Sequence, residues 1–145
     1  MVIGIIGENC TGKSTLANEL NKSLDAEIIT GKDYLRMAKS ESEATNLFKE
    51  ELKQAMVDGN IIYVISEKEH IALLPEGAIR ILVVADIEII KERFKARMHG
   101  NLPMPVEQML ERKHGMFDEV DCDFRFDSSK DSIEEFCQRI NERIL

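Results

Sequence analysis

Residues 7–15 read GENCTGKST: two glycines that bracket four residues, then a lysine and two hydroxyls. Gly7-x-x-x-x-Gly12-Lys13-Ser14 fits the phosphate-binding loop, or Walker A pattern, in full. Glycines let the chain wrap closely, so that consecutive amides from Gly7 through Asn9, Cys10, Thr11 and Gly12 point inward as an anion nest. A helix that starts near Lys13 adds its positive N-terminal end. Lys13 has the reach and charge for the β- and γ-phosphates, Ser14 offers a hydroxyl to Mg²⁺, and Thr15 stands ready for another phosphate contact. A chance glycine-rich turn would lack the flanks that this segment has. Cys10 lies beside Lys13 at a helix N-terminus and is expected to be the most reactive thiol of the chain.

Such a loop works only if a strand delivers it and a helix receives it. Val2–Ile6 is continuous and rich in β-branched residues, as a strand buried on both faces is. From Lys13 to Leu24, Leu16, Ala17, Leu20 and Leu24 share one helical face. The alternation then continues: a strand over Glu27–Thr30, a helix over Ser42–Val57 stopped by Gly59, and a strand over Ile61–Ile65. A short helix is expected over Lys68–Leu74, a strand over Ile79–Ala85 and a helix over Ile87–Met98. A turn rich in Gly, Asn and Pro leads to a helix over Val106–Phe117. A fifth strand is expected over Cys122–Phe126, and Ile133, Phe136, Cys137, Ile140 and Ile144 mark a closing helix. This order predicts an α/β fold, a five-stranded parallel sheet between two helical layers. Ligands bind such sheets beyond the carboxyl ends of the strands, where the P-loop lies.

The chain has 145 residues, 43% of them hydrophobic and 32% charged. That suits one domain over residues 1–145 with a real core. The formal net charge of -8 argues against a nucleic-acid or membrane-surface role. The scattered cysteines, Cys10, Cys122 and Cys137, form no CxxC pair and suit a reducing cytoplasm, the compartment expected here.

The P-loop, the strand order and the short length resemble the small P-loop kinases: shikimate kinase, gluconate kinase, adenylylsulfate kinase and the nucleoside monophosphate kinases. The resemblance runs along nearly the whole chain, and its P-loop is the specific part. It implies Mg²⁺ and ATP as phosphoryl donor, a transferase activity, an acceptor-binding insert at about 31–60 and a short lid at about 98–106. In ITGKDYLR, Asp33 falls just past Ile28-Ile29-Thr30, where several of these kinases hold the acceptor hydroxyl with an acid. The alternative is an N-cap for a helix beginning at Tyr34, and the two roles are compatible. Arg36 is placed to pair with an anionic acceptor or to stand in solvent.

In KERFKARMHGNLPMP, Arg93 and Arg97 share a helix face and match arginines that meet the transferring phosphoryl group. The plainer reading is a charged outer face with Lys91, Glu92 and Lys95. Arg112 matches an arginine that grips an anionic substrate in shikimate kinase, and Asp127-Ser128-Ser129 matches the region around the adenine ring. Three departures stand out. Leu102, not arginine, precedes Pro103. Strand three ends in Ile65-Ser66-Glu67-Lys68 without the glycine run of shikimate kinases. No Walker B aspartate follows it, which leaves Ser66 or Glu67 to reach Mg²⁺ through water.

Together these readings predict an ATP-dependent kinase for a small metabolite, with Lys13, Asp33 and Arg97 as catalytic groups. ATP and Mg²⁺ would meet Gly7 to Thr15 and Arg93, with Ser14 on the metal. The acceptor would meet Asp33, Arg36 and Arg112. The rival is a regulatory nucleotide-binding domain with little transfer. Nothing in the sequence names the acceptor or an oligomeric state.

Overall fold

Every strand of the sheet runs in the same direction, in the order β2-β3-β1-β4-β5. The structure is a computed structural model and describes residues 1–144; Leu145 lies outside them. The strands are β1 (Val2–Ile6), β2 (Glu27–Thr30), β3 (Ile61–Ile65), β4 (Ile79–Val84) and β5 (Phe124–Asp127). The helices are α1 (Lys13–Asn21), α2 (Glu41–Val57), α3 (Lys68–Ile71), α4 (Ile87–Arg97), α5 (Met104–Lys113) and α6 (Ile133–Ile144). A 3₁₀ turn covers Asp33–Met37. No helix is long and apolar enough to cross a membrane, among the described residues.

Side chains of a strand alternate between faces, and here both faces are covered. Val2 and Ile6 of β1 join Tyr63, Phe48 and Phe117 on one side. Ile3 and Ile5 join Leu16 and Leu20 of α1 and Phe136 and Ile140 of α6 on the other. These layers flank the sheet as the alternation of elements predicts. On the α2 side, Tyr34 stacks on Phe48 with centroids 4.9 Å apart and planes at 7°. Phe48 in turn meets Tyr63 edge-on at 4.9 Å. Truncating Phe48 to alanine would cost about 3–5 kcal/mol by the usual large-to-small scale. Those contacts fix the 3₁₀ turn that carries Asp33.

The observed elements shift from the sequence expectation at several ends. β5 starts at Phe124, not Cys122. Asp123 holds the chain just before the strand: its N–H donates to the Arg80 carbonyl at 2.8 Å, and its Oδ2 accepts from the Arg80 N–H at 2.8 Å. The helix expected over Lys68–Leu74 shrinks to Lys68–Ile71 and gives way to turns that bring Leu74 into the core. α5 begins at Met104, because Pro103 sets the N-terminal boundary, and stops at Lys113. α2 is capped by Ser40, whose Oγ accepts from the Glu43 N–H at 3.1 Å. Asp33 makes no cap hydrogen bond; the turn begins with Asp33 itself as its first residue.

α4 and α5 form a third cluster with the P-loop, through Ile90, Leu110, Ala85 and Cys10. Lys91 pins the two helices together, 2.5 Å from Glu111 Oε1 and 3.3 Å from Glu107 Oε1. The connection between them, 98–103, is mostly exposed.

Candidate active site

β1 runs through the middle of the sheet, so the P-loop leaves it beside the ends of β3 and β4. The Gly7 N–H donates to the Ile65 carbonyl at 3.1 Å, one residue past the strand. A Cβ on Gly7 would lie 2.4 Å from the Val83 carbonyl oxygen. Only glycine fits there, because the obstacle is backbone. Gly12 adopts φ +102, the left-handed region, and forms the N-cap of α1 without a side-chain cap. The first-turn amides of α1 are thus left for an anion.

Lys13 is 6% exposed, and its Nζ donates to the Glu8 carbonyl at 2.6 Å. Burial pushes its ammonium down to about 8; Arg97 acts in the same direction, while Cys10 and Glu8 oppose it. A buried cation short of anionic partners is the state that a polyphosphate would relieve. Ser14 and Thr15 are exposed in the first turn of α1. Glycine cradle, buried lysine and free hydroxyl together fit the polyphosphate of a nucleotide.

Beside the loop opens a cavity of about 510 Å³, lined by Gly12, Thr15, Arg93, Arg97, Phe126 and Ser128 among others. Arg93 and Arg97 therefore meet on one wall, as their spacing predicts. Arg93 is not free, however. Its Nη1 donates to the Cys10 carbonyl and to Ser128 Oγ, each at 3.0 Å. Asn9 is exposed, and Thr11 is buried with its hydroxyl donating to the Glu8 carbonyl at 2.8 Å. Cys10 departs from expectation. It is only 4% exposed and packs with Ala85, Ile90 and Leu110, whereas Cys122 is exposed.

Asp33 lies on the opposite flank, exposed after the end of β2. The Tyr63 hydroxyl donates to the Gly31 carbonyl at 2.8 Å and ties this segment to β3. Burial holds the Tyr63 phenol well above its ordinary range; Tyr34 adds to this, and Glu67, Asp33 and Glu69 add smaller effects. Arg36, at the end of the 3₁₀ turn, and Arg112, in the last turn of α5, are exposed. Neither makes a hydrogen bond or ion pair among the described residues.

Two features escaped the sequence reading. Glu8, inside the P-loop, accepts from the Gly115 N–H at 3.1 Å and sits 3.1 Å from His114 Nδ1, so the loop is tied to the end of α5. His70, after β3, is almost fully buried. Only the unusual glutamate in the glycine motif hinted at the first, and nothing in the pattern marked the second.

No family model and no curated protein matches this chain. Solved structures do match its fold. A sugar kinase from a Janibacter species has a TM-score of 0.66 at 14% identity, over 97% of this chain and 92% of that one. Shikimate kinase from Acinetobacter baumannii, in complex with shikimate, gives 0.63 at 15% identity, over 99% and 92%. A gluconokinase from Sinorhizobium meliloti gives 0.58 at 9% identity, over 99% and 97%. At such identities the likeness carries the fold: a three-layer α/β fold shared with small P-loop kinases.

Proposed function

We propose that this chain is an ATP-dependent kinase that moves the γ-phosphoryl group to a hydroxyl or phosphate oxygen of a small metabolite. The observation that carries the reading is the arrangement around Lys13. This buried lysine stands between an arginine-walled cavity of nucleoside size and the flank that bears Asp33. A P-loop domain that only stores nucleotide has no need of a carboxylate on that far flank. The fold of sugar, shikimate and gluconate kinases supports the same class.

In this reading the α1 amides and Lys13 hold the phosphates, and the base lies in the cavity beside Arg93 and Ser128. Mg²⁺, held by Ser14, supplies charge neutralisation to the phosphates. Asp33 orients the acceptor oxygen or takes its proton. Arg97, beside the 98–106 segment that acts as lid, stabilises the phosphoryl group as it moves. Arg36 and Arg112 are free cations for an anionic acceptor. The 31–60 insert is short, so the acceptor is small. Catalysis is positioning and electrostatics rather than covalent chemistry.

A regulatory nucleotide-binding role is the second reading. Ser66 stands where a Walker B aspartate would follow β3, and this absence favours it. The test is ADP release over a panel of hydroxylated and phosphorylated metabolites, with and without each compound. Stimulation by one acceptor, abolished in Lys13→Ala, supports the kinase. A basal rate that no acceptor raises supports the regulatory domain.

A further inference from the structure

The segment after β3, at the start of α3, carries a cluster to which the proposed transfer assigns no role. Glu67, Glu69 and His70 each bring a ligand-type atom to one space, all within 4.8 Å of one another. His70 Nε2 stands 3.8 Å from Glu69 Oε1, too far for a hydrogen bond. The imidazole is 4% exposed, and its Nδ1 is buried without a hydrogen-bond partner. The buried Nδ1 carries a desolvation cost that no protein group offsets, while Nε2 is the ring nitrogen that faces Glu69. No lysine or arginine lies within ion-pair distance of Glu67 or Glu69, among the described residues. Two neighbouring carboxylates repel each other unless a cation or proton joins them.

The ring is also held in place. Tyr34 meets it edge-on at 6.0 Å and 86°, and Tyr63 lies 6.3 Å away. The glutamates are exposed, so an ion can enter from solvent and keep open coordination positions. One rigid imidazole and two carboxylates form a donor set that suits Zn²⁺ and is poorly matched to Mg²⁺, which prefers oxygen and water.

We propose that Glu67, Glu69 and His70 form a three-ligand Zn²⁺ site at the carboxyl end of β3, with its open positions on the acceptor flank. Tyr63, whose ring lies 6.3 Å from His70, donates its hydroxyl to the Gly31 carbonyl, two residues before Asp33. A metal there would take an anionic oxygen, so the ligand class is an acceptor bearing a carboxylate or hydroxy-acid group. That last step rests on the kinase reading; the metal site does not. His70 Nδ1 then carries the proton and lacks the acceptor that usually orients a ligating histidine. The site is accordingly weaker than one with such a partner, by roughly 10- to 100-fold.

The experiment titrates nucleotide-free protein with Co²⁺, followed by visible absorption, and then displaces the Co²⁺ with Zn²⁺. Without nucleotide the P-loop holds no phosphate to recruit an ion. One saturable Co²⁺ per chain is expected, displaced by Zn²⁺. Affinity should fall at least tenfold in Glu67→Gln/Glu69→Gln and in His70→Asn. The glutamates are exposed, so their double variant decides the matter even where the buried histidine variant misfolds. Absence of one-to-one binding in the wild type, or unchanged binding in the double glutamine variant, overturns the site. A kinase assay without any active acceptor would undo the acceptor role and leave the titration intact.

Discussion

Ser128 Oγ accepts from Arg93 Nη1 at 3.0 Å and passes the bond on, donating to the Thr11 carbonyl at 2.5 Å. The same guanidinium reaches the Cys10 carbonyl at 3.0 Å. Arg93 thus clamps the backbone of the phosphate loop to the turn after β5. Removing either partner should loosen the loop before it meets phosphate. Arg93→Ala and Ser128→Ala are each expected to weaken ATP binding by about tenfold, the size of one charge-assisted hydrogen bond. Arg93→Lys should recover only part, because a single ammonium cannot reproduce the planar fork. Calorimetry showing wild-type affinity in both alanine variants would remove the clamp from the site.

Gly7→Ala should damage the fold itself. The added methyl would meet the Val83 carbonyl oxygen at 2.4 Å, so β1 and β4 must separate. A loss of about 1–3 kcal/mol is expected, the range for overpacking a rigid site. Gly4→Ala is the internal control. Its Cβ meets Leu74 Cδ1 at 2.6 Å, the mobile end of a side chain. Urea unfolding should rank Gly7→Ala as clearly the worse of the two.

The phosphate loop was legible in the sequence because its geometry is local: glycines, lysine and hydroxyls act within one turn of strand and helix. β1 and β3 were legible for the same reason, since a buried strand needs only a short apolar run, and the partly exposed β2 was marked by its Ile28-Ile29 pair. β5 was legible as a strand, but its start was not, because that is set by Asp123 bonding to Arg80, far back in the chain. The partners of Arg93 were not legible either. Spacing placed it on the correct face, but its partners Cys10 and Ser128 come from elements that meet only in the folded sheet. Glu8 and His114 are separated by most of the chain, and no periodicity links them.

Cysteine labelling checks one of these reversals. Cys10 sits at a helix N-terminus, but burial in an apolar cluster denies reagents access. Cys122 is exposed. Brief alkylation of the native protein should label Cys122 first, with Cys10 and Cys137 modified only on unfolding. Mass spectrometry that finds Cys10 labelled at the rate of Cys122 would mean that the loop opens readily.

Lys13 should make both binding and stability depend on pH. Its ammonium is pushed down to about 8 by burial, from an ordinary 10.5. Between those values the unfolded chain binds more protons than the folded one, so the stability of nucleotide-free protein rises with pH through that window. The full effect is on the order of 3 kcal/mol at most. Lys13→Met should flatten that rise, as read from urea midpoints at about pH 7.5 and 9.5. Triphosphate restores the charge, so ATP binding near the lower value should take up protons. Calorimetry in buffers of different ionisation enthalpy reads this directly; no buffer dependence would leave Lys13 charged throughout.

Asp33 and Arg97 separate transfer from mere binding. Asp33 stands on the flank away from the arginine-walled cavity, exposed and without a cap bond, whereas Arg97 lines that cavity. In the proposed kinase, ATP alone draws chiefly on the P-loop. Asp33→Asn should therefore keep ATP affinity near wild type and lower acceptor-dependent ADP release by about 10²-fold or more, the scale of a positioned base. Arg97→Ala should reduce turnover more than ATP binding, because its charge matters most while the phosphoryl group is between donor and acceptor. Both are measured with whichever acceptor stimulates the wild type. Full activity of Asp33→Asn with that acceptor would leave a kinase whose acceptor site lies elsewhere. An Arg97→Ala protein that loses affinity and turnover in equal measure would make Arg97 a nucleotide ligand rather than a transition-state one.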